Sequence, residues 1–373
     1  MPHNSPDNVP YFNLSRGREE IAAQVRERWR GVVEDTAFVL GPEVGQLESA
    51  FADWLGAAGC VGVGNGTDAL ILALRALDLA PGDEVIVPAF SFFATAECVV
   101  LAGGTPIFAD IDPNTLNLDL DDAAARVTAA TVGVVPVHLY GRPMDAGALA
   151  AFAGAHGLWV VEDAAQAHGA AWDGRKVGTL GNLAAWSFYP TKNLGAWGDG
   201  GAVTGPDEAL LEKVRLLANH GQPRRYHHTA IGTNSRLDSL QAAVLNVRLP
   251  RLQAANDRRR QIACRYQGGL DGAGDLAFPV DAEEAHCVYH QFAVRTARRD
   301  ELAAHLAEHG VGSSVHYPET LPSQPAFADH PQHAEALPAS DRAAAELLCL
   351  PMFPELTDAE VDRVCEVAQQ FFA

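Results

Sequence analysis

Five short runs in the first half of the chain are almost continuously apolar: CVGVG at 60–64, DEVIVP at 83–88, TPIFADI at 105–111, TVGVVPV at 131–137 and LWVVEDA at 158–164. Runs of this length without polar alternation read as strands buried on both faces. The stretches between them have helical spacing. TDALILALRALDL at 67–79 opens on Thr67, a residue suited to capping a helix N-terminus, and DAGALAAFAGAHG at 145–157 closes on a glycine suited to its C-terminus. Strand and helix in alternation predict an α/β fold: a central, mostly parallel sheet flanked by helices, with function beyond the carboxyl ends of the strands.

The pattern changes after a long helical segment, 236–267, interrupted at Pro250. The short strand YHQFAVR (289–295) and the helix RDELAAHLAEHG (299–310) then suggest a smaller α+β domain. We expect a large domain over 1–250, including the N-terminal segment, and a small C-terminal one over 251–373, with no internal repeat.

Composition narrows the class. The 373 residues, 48% hydrophobic and 20% charged, suit a globular protein and not a disordered one. MPHNSPDNVPYFNLSRGREE lacks the basic start and apolar core of a targeting signal, and no run reaches the roughly 18 apolar residues of a membrane span, so a cytoplasmic protein is expected. Six cysteines without C-x-x-C spacing indicate buried free thiols, with neither a metal site nor a disulfide framework. A net charge of -20 opposes nucleic-acid binding. Among 27 basic residues the only lysines are Lys176, Lys192 and Lys213. GC-rich codon bias explains why lysines are few, but not why one stands in SFYPTKNLGAWGDGGA, just ahead of a glycine-rich turn.

Other segments carry candidate chemistry beside a plainer reading. GVGNGTDAL puts alternate glycines between a strand and a helix, where free N–H groups favour a phosphate; it also serves as a simple turn, or as part of a nicotinamide-dependent oxidoreductase. VVEDAAQAHGA ends a strand on Asp163, either a helix cap or a carboxylate that holds a proton on a heteroaromatic nitrogen, with Gln166 and His168 one turn further on. PAFSFFATA supplies Phe90, Phe92 and Phe93, core residues unless one leaves the core to stack on a flat ring. Taken together with a lysine for an aldehyde, these features describe pyridoxal 5'-phosphate (PLP).

The blocks GNGTDALILALRALDLAPGDEVIVPAFSFFATAE, VVEDAAQAHGA, SFYPTKNLGAWGDGGAVTG and NSRLDSLQAAVL, in this order, resemble the DegT-type sugar-nucleotide aminotransferases of PLP fold type I over essentially the whole chain. The resemblance implies that Lys192 is the Schiff-base lysine and Asp163 the partner of the pyridinium nitrogen. It places Gln166 at the ring hydroxyl, Phe92 against the ring, and Gly66, Thr67, Asp68 and Ser187 around the phosphate. Asn234 matches a residue lent to the phosphate by the other subunit of a homodimer. Arg236 and Tyr317, and more weakly Arg224 and Arg225, are expected on the substrate side. The implied reaction moves an amino group from glutamate, by way of pyridoxamine 5'-phosphate, to a keto-sugar on a nucleoside diphosphate. PTKNLGAWGDGGAV and YHHTAIGTNSRLDSLQAAVL resemble members acting at C3 of thymidine diphosphate (dTDP) 3-keto-6-deoxyhexoses. C4 enzymes, the alternative, more often have methionine where this chain has Leu237. Sugar dehydratases of the family typically carry histidine at the lysine position, and a catalytically silent PLP-binding regulator is a further alternative.

Overall fold

The computed structural model describes residues 8–373; the first seven residues, part of the stretch read for a targeting signal, lie outside it. Helices α1 (Arg18–Glu34) and α2 (Pro42–Leu55) come first. Strand and helix then alternate: β1 (Gly59–Val63), α3 (Gly66–Ala76), β2 (Glu84–Pro88), α4 (Ala94–Ala102), β3 (Thr105–Ala109), α5 (Leu120–Ala125), β4 (Thr131–Val134), α6 (Ala146–His156) and β5 (Trp159–Asp163). A short hairpin of β6 (Ala171–Trp172) and β7 (Arg175–Lys176) leads to β8 (Leu183–Ser187) and β9 (Gly201–Gly205), followed by α7 (Glu208–Ala218), α8 (Ser239–Arg248) and α9 (Leu252–Leu270). All five apolar runs form strands. TVGVVPV stops pairing as a strand at Val134, ahead of Pro136, which has no N–H for a ladder.

Seven strands form one sheet in the order β1-β9-β8-β5-β4-β2-β3. Only β9 runs against its neighbours; the other pairs are parallel. Since β1 and β8 both oppose β9, Val63 and Ser187 finish beside the same residue, Gly201. Asp163 finishes beside Ala185 of β8. The carboxyl ends of β1, β5 and β8 thus share one edge. Side chains alternate between two cores: Val61, Val63, Leu183 and Ala185 pack in one, Cys60, Ala184 and Trp186 in the other.

Local signals explain most helix boundaries. The expected cap at Thr67 is corrected: Asn65 is the cap, its side chain accepting from Asp68 N at 2.9 Å, so α3 begins at Gly66 and Thr67 lies in its first turn. Helix α6 closes as expected on left-handed Gly157. Between α8 and α9 the helical path tightens into a 3-10 turn at Leu249–Arg251 around Pro250, which cannot donate to an α-helical ladder.

A further core forms around the antiparallel pair β11 (Phe292–Arg295) and β12 (Leu347–Leu350); β10 (Ala285–His286) extends the β6–β7 hairpin. Helices α10 (Arg299–Glu308), α11 (Pro338–Glu346) and α12 (Asp358–Phe372) complete the chain. Ile262, Tyr266, Phe292, Leu306 and Val364 centre this core, and Val9 joins it through a bridge to Val311. All six cysteines are free; five are buried, while Cys264, expected inside, is exposed on α9. Among the described residues no helix is long and apolar enough to cross a membrane.

Strand β5 carries two buried acids, and Glu162 serves the fold. Its Oε1 accepts from Leu180 N (2.8 Å) and Gly181 N (2.9 Å), and its Oε2 from Gly178 N (2.8 Å) and His138 Nε2 (3.0 Å). Met144 N donates to His138 Nδ1, which leaves Nε2 as the protonated nitrogen. The carboxylate therefore ties the turn entering β8 to β5. Glu162→Ala would strand several buried donors at a cost of about 1–3 kcal/mol each; a lowered urea midpoint, by several kcal/mol in stability, is expected, and an unchanged midpoint would contradict this role.

Candidate active site

Lys192 lies in the loop joining β8 to β9, at the shared carboxyl edge of the sheet. Phe188 N donates to Gly200 O (2.8 Å), Ala196 N to Phe188 O (2.7 Å) and Lys192 N to Tyr189 O (2.8 Å), which folds the loop back on itself. Gly195 is needed for that fold, because a Cβ there would lie 2.4 Å from Pro190 O. The neighbouring Asn193 is buried and anchors the loop from behind: its Nδ2 donates to Asn256 Oδ1 (2.9 Å) and Val288 O (3.0 Å). Asn256 Nδ2 in turn donates to His168 O at 2.7 Å. Gly169, at φ +96°, makes room for that amide, since a Cβ would come within 2.7 Å of Asn256 Nδ2.

The three lysines differ in their partners. Lys213 pairs with Asp78 at 2.5 Å, and the Lys176 amine donates to Trp54 O and sits 4.2 Å from the Trp54 ring centre. The Lys192 amine has no hydrogen-bond or ion-pair partner among the described residues. Removal from water lowers its pKa from the ordinary value to about 8, against the opposing pull of the Asp163 carboxylate. Asp163 is buried, and burial raises its pKa; the Thr95 hydroxyl, donating to Oδ2 at 2.8 Å, Ala165 N, donating to Oδ1 at 3.2 Å, and the Lys192 charge hold that rise back. Asp163 ends β5 and contacts a side chain from α4, so it is placed by two elements, not by a helix it caps.

The opposite end of the site is made by β1, α3 and β8. Gly66 and Ser187 approach so closely that a Cβ on Gly66 would lie 2.7 Å from Ser187 Cβ. The N–H groups of Gly66 and Thr67 belong to the first turn of α3, where the helix itself offers no acceptor. Asp68 is already engaged, its N–H by Asn65 and its carboxylate by Ser235 Oγ at 2.6 Å; it frames the turn. Asn234, beside Ser235, is exposed.

Of the three phenylalanines in PAFSFFATA, Phe90 is buried, Phe93 is half-buried and Phe92 alone stands out, 55% exposed. The Phe92 ring lies 6.0 Å from that of Tyr317. Tyr317 OH accepts from Gln166 Nε2 (3.2 Å), and Gln166 Oε1 accepts from Tyr140 N (2.7 Å), so Gln166 is held at both ends. Arg236 reaches Asn219 Oδ1 at 3.5 Å, while Arg224 and Arg225 are exposed. The His168 ring is enclosed by Phe51, Trp186 and Phe188 and is kept neutral by burial, its pKa lowered to about 3. Thr95 and Asn256 escaped the sequence reading. Thr95 sat within a segment noticed for its aromatics, and nothing local marks an amide on α9 as touching a loop 63 positions earlier.

An unpaired, partly desolvated amine, a buried carboxylate, an outstanding aromatic ring and a helix N-terminus fit a planar phosphorylated aldehyde. The comparisons agree. The sequence model of the DegT/DnrJ/EryC1/StrS aminotransferase family matches residues 19–369. The chain is 44% identical to a protein of Geobacillus stearothermophilus called a pleiotropic regulatory protein (98% of this chain, 99% of that one). It is 42% identical to a dTDP-3-amino-3,4,6-trideoxy-alpha-D-glucose transaminase of Streptomyces venezuelae (97% and 96%). Among solved structures, S. venezuelae DesV in complex with a ketimine intermediate superposes with a TM-score of 0.95 at 42% identity (97% of this chain, 98% of that one). NtdA from Bacillus subtilis with bound cofactor PMP gives 0.92 at 30% (100% and 87%). The nicotinamide reading of GVGNGTDAL is thereby set aside, and the chain belongs to the DegT/DnrJ/EryC1/StrS family of PLP-dependent aminotransferases.

Proposed function

We propose that this aminotransferase moves an amino group from glutamate to C3 of a dTDP-linked 3-keto-6-deoxyhexose, acting as a cytoplasmic homodimer. The observation that carries the chemistry is the Lys192 amine, alone among the lysines in lacking a partner among the described residues, with its pKa lowered to about 8 by removal from water. Bound here, PLP supplies an aldehyde that takes up the amino group and a ring that spreads the electron pair left when a C–H bond breaks. Lys192 would hold the cofactor through its Nζ and would serve as the base that moves a proton to and from the substrate carbon. Asp163 keeps a proton on the ring nitrogen, aligned by Thr95 and the Ala165 N–H. Gly66, Thr67 and Ser187 receive the phosphate, Phe92 covers the ring, and Gln166 reaches the ring hydroxyl through Nε2.

Support for the C3 sugar comes from the relative named for a dTDP-3-amino sugar and from a second, 38% identical, named a dTDP-3-amino-3,6-dideoxy-alpha-D-galactopyranose transaminase. In this reading Arg236 anchors the diphosphate and Tyr317 lines the hexose. Leu237, buried beside Arg236, sets the depth of the sugar. The exposed Asn234 completes the phosphate site of a second copy. The exposed apolar side chains Tyr226 and Ile231, 81% and 86% exposed on the segment that carries Asn234, support a partner surface there.

Capture of PLP by the apoprotein needs the uncharged amine. Its rate should rise with pH and level off above about 8, whereas an ordinary lysine would keep gaining toward about 10.4; stopped-flow absorbance across pH 6–10 reads the break, and a rate still climbing at pH 10 argues against the desolvated amine. Asp163→Asn should bind PLP yet lose on the order of 10²–10⁴-fold in kcat, and Lys192→Ala should lose all turnover with its circular dichroism intact; wild-type rates in either variant refute the assigned role. Supplied with glutamate, the protein should aminate a 3-keto and not a 4-keto dTDP-hexose. Amination of the 4-keto sugar alone would overturn the regiochemistry and leave the transaminase standing.

A further inference from the structure

A cleft of about 1450 Å³ lies between the N-terminal segment, the lysine loop and α8–α9, and Lys192, Arg248, Arg259 and Glu355 line its wall. Most of its arginines are accounted for. Arg16, Arg18 and Arg258 pair with Glu360, Glu19 and Asp358, and Arg26 and Arg251 are exposed to water. Arg248 and Arg259 are neither paired nor well exposed. Arg259 is 2% exposed; its Nη1 donates to the carbonyls of Tyr289, His290 and Met352, and its Nε has no partner. Arg248 Nη1 donates to Gly195 O, inside the lysine loop, at 2.9 Å. Among the described residues no carboxylate lies within 4.0 Å of either guanidinium.

Buried guanidiniums are ordinarily paired with an anion, since an uncompensated buried charge is costly. Here burial lowers both pKa values, and Arg248 pushes that of Arg259 lower still. Among the described residues Glu355 is the one carboxylate whose charge acts on both, and its partial desolvation in the cleft raises its own pKa. Two guanidiniums thus line the same cleft as one exposed acid, on the wall that also carries the reactive lysine.

We infer that Arg248 and Arg259 form a subsite for a carboxylate of a dicarboxylic amino donor. This rests on the aminotransferase reading and adds to it the group that selects the donor. The carboxylate supplies the missing counter-charge and accepts from donors that carbonyl contacts leave free. The diphosphate of the sugar substrate is assigned to Arg236, on a different segment, and the cofactor phosphate to the N-terminus of α3.

Calorimetric titration of the PLP-loaded protein with glutarate, a dicarboxylate that cannot react, tests the subsite, with thymidine diphosphate as the second ligand. Arg248 carries the test, because loss of Arg259 would also release three backbone carbonyls. Arg248→Gln should weaken glutarate binding by roughly tenfold or more, Arg248→Lys should restore part of it, and thymidine diphosphate should bind both as it binds the wild type. Unchanged glutarate affinity in Arg248→Gln, no glutarate binding by the wild type, or a loss that falls on thymidine diphosphate would each overturn the proposal. Should the wild type aminate no keto-sugar, the function proposed above fails by itself, and the glutarate isotherms still decide whether the subsite exists.

Discussion

A primary amine gains an appreciable uncharged fraction near neutral pH only when water and a strong counter-ion are both withheld from it, and at Lys192 the two influences are balanced: burial lowers the pKa to about 8 while Asp163 draws it back up. Full burial without the carboxylate would drive the amine further down, and a close ion pair would lock the ammonium in place. The balance requires Asp163 to be near but not bonded. Its oxygens are occupied instead by the Thr95 hydroxyl and the Ala165 N–H. Contacts made by the acid thus leave the base free.

Positions that exact need backing from rigid elements. Asp163 stands at the end of a strand in the middle of the sheet, with Glu162 next to it pinning the adjacent turn through three hydrogen bonds and His138 through a fourth. Lys192 is on a loop, the less rigid choice, and the structure compensates by tying Asn193 to Asn256 and Val288. Part of the anchor therefore comes from α9, whose Ile262, Ala263, Tyr266 and Leu270 belong to the core around β11 and β12. Lysine and carboxylate are held by different parts of the chain, and the distance between them depends on how those parts pack.

What the sequence disclosed follows from the range of the forces involved. Strands announce themselves because burial on both faces demands an unbroken apolar run, and all five runs appear as strands. Lys192 and Asp163 were legible because a lone lysine before glycines and an acid ending an apolar strand are local anomalies. The cap of α3 was misplaced by two residues because Asn65 and Thr67 are both good caps, and only the extended backbone at Asn65 decides between them. Thr95, Asn256 and the unpaired arginines of the cleft were invisible. Each has an ordinary local context, and its significance arises from a neighbour or a missing neighbour far away in sequence.

The single antiparallel strand also has a bearing on how the protein is made. Strand β1 lies at the sheet's edge, and its one partner is β9. As the chain leaves the ribosome from the N-terminus, the apolar segment Gly59–Val63 has no strand to pair with until Gly201–Gly205 has emerged, which places the lysine loop outside before the sheet can close. Pairing so distant in sequence slows closure and leaves sticky surface waiting. Synthesis of the reactive segment is in that sense a precondition for completing the scaffold that later holds it.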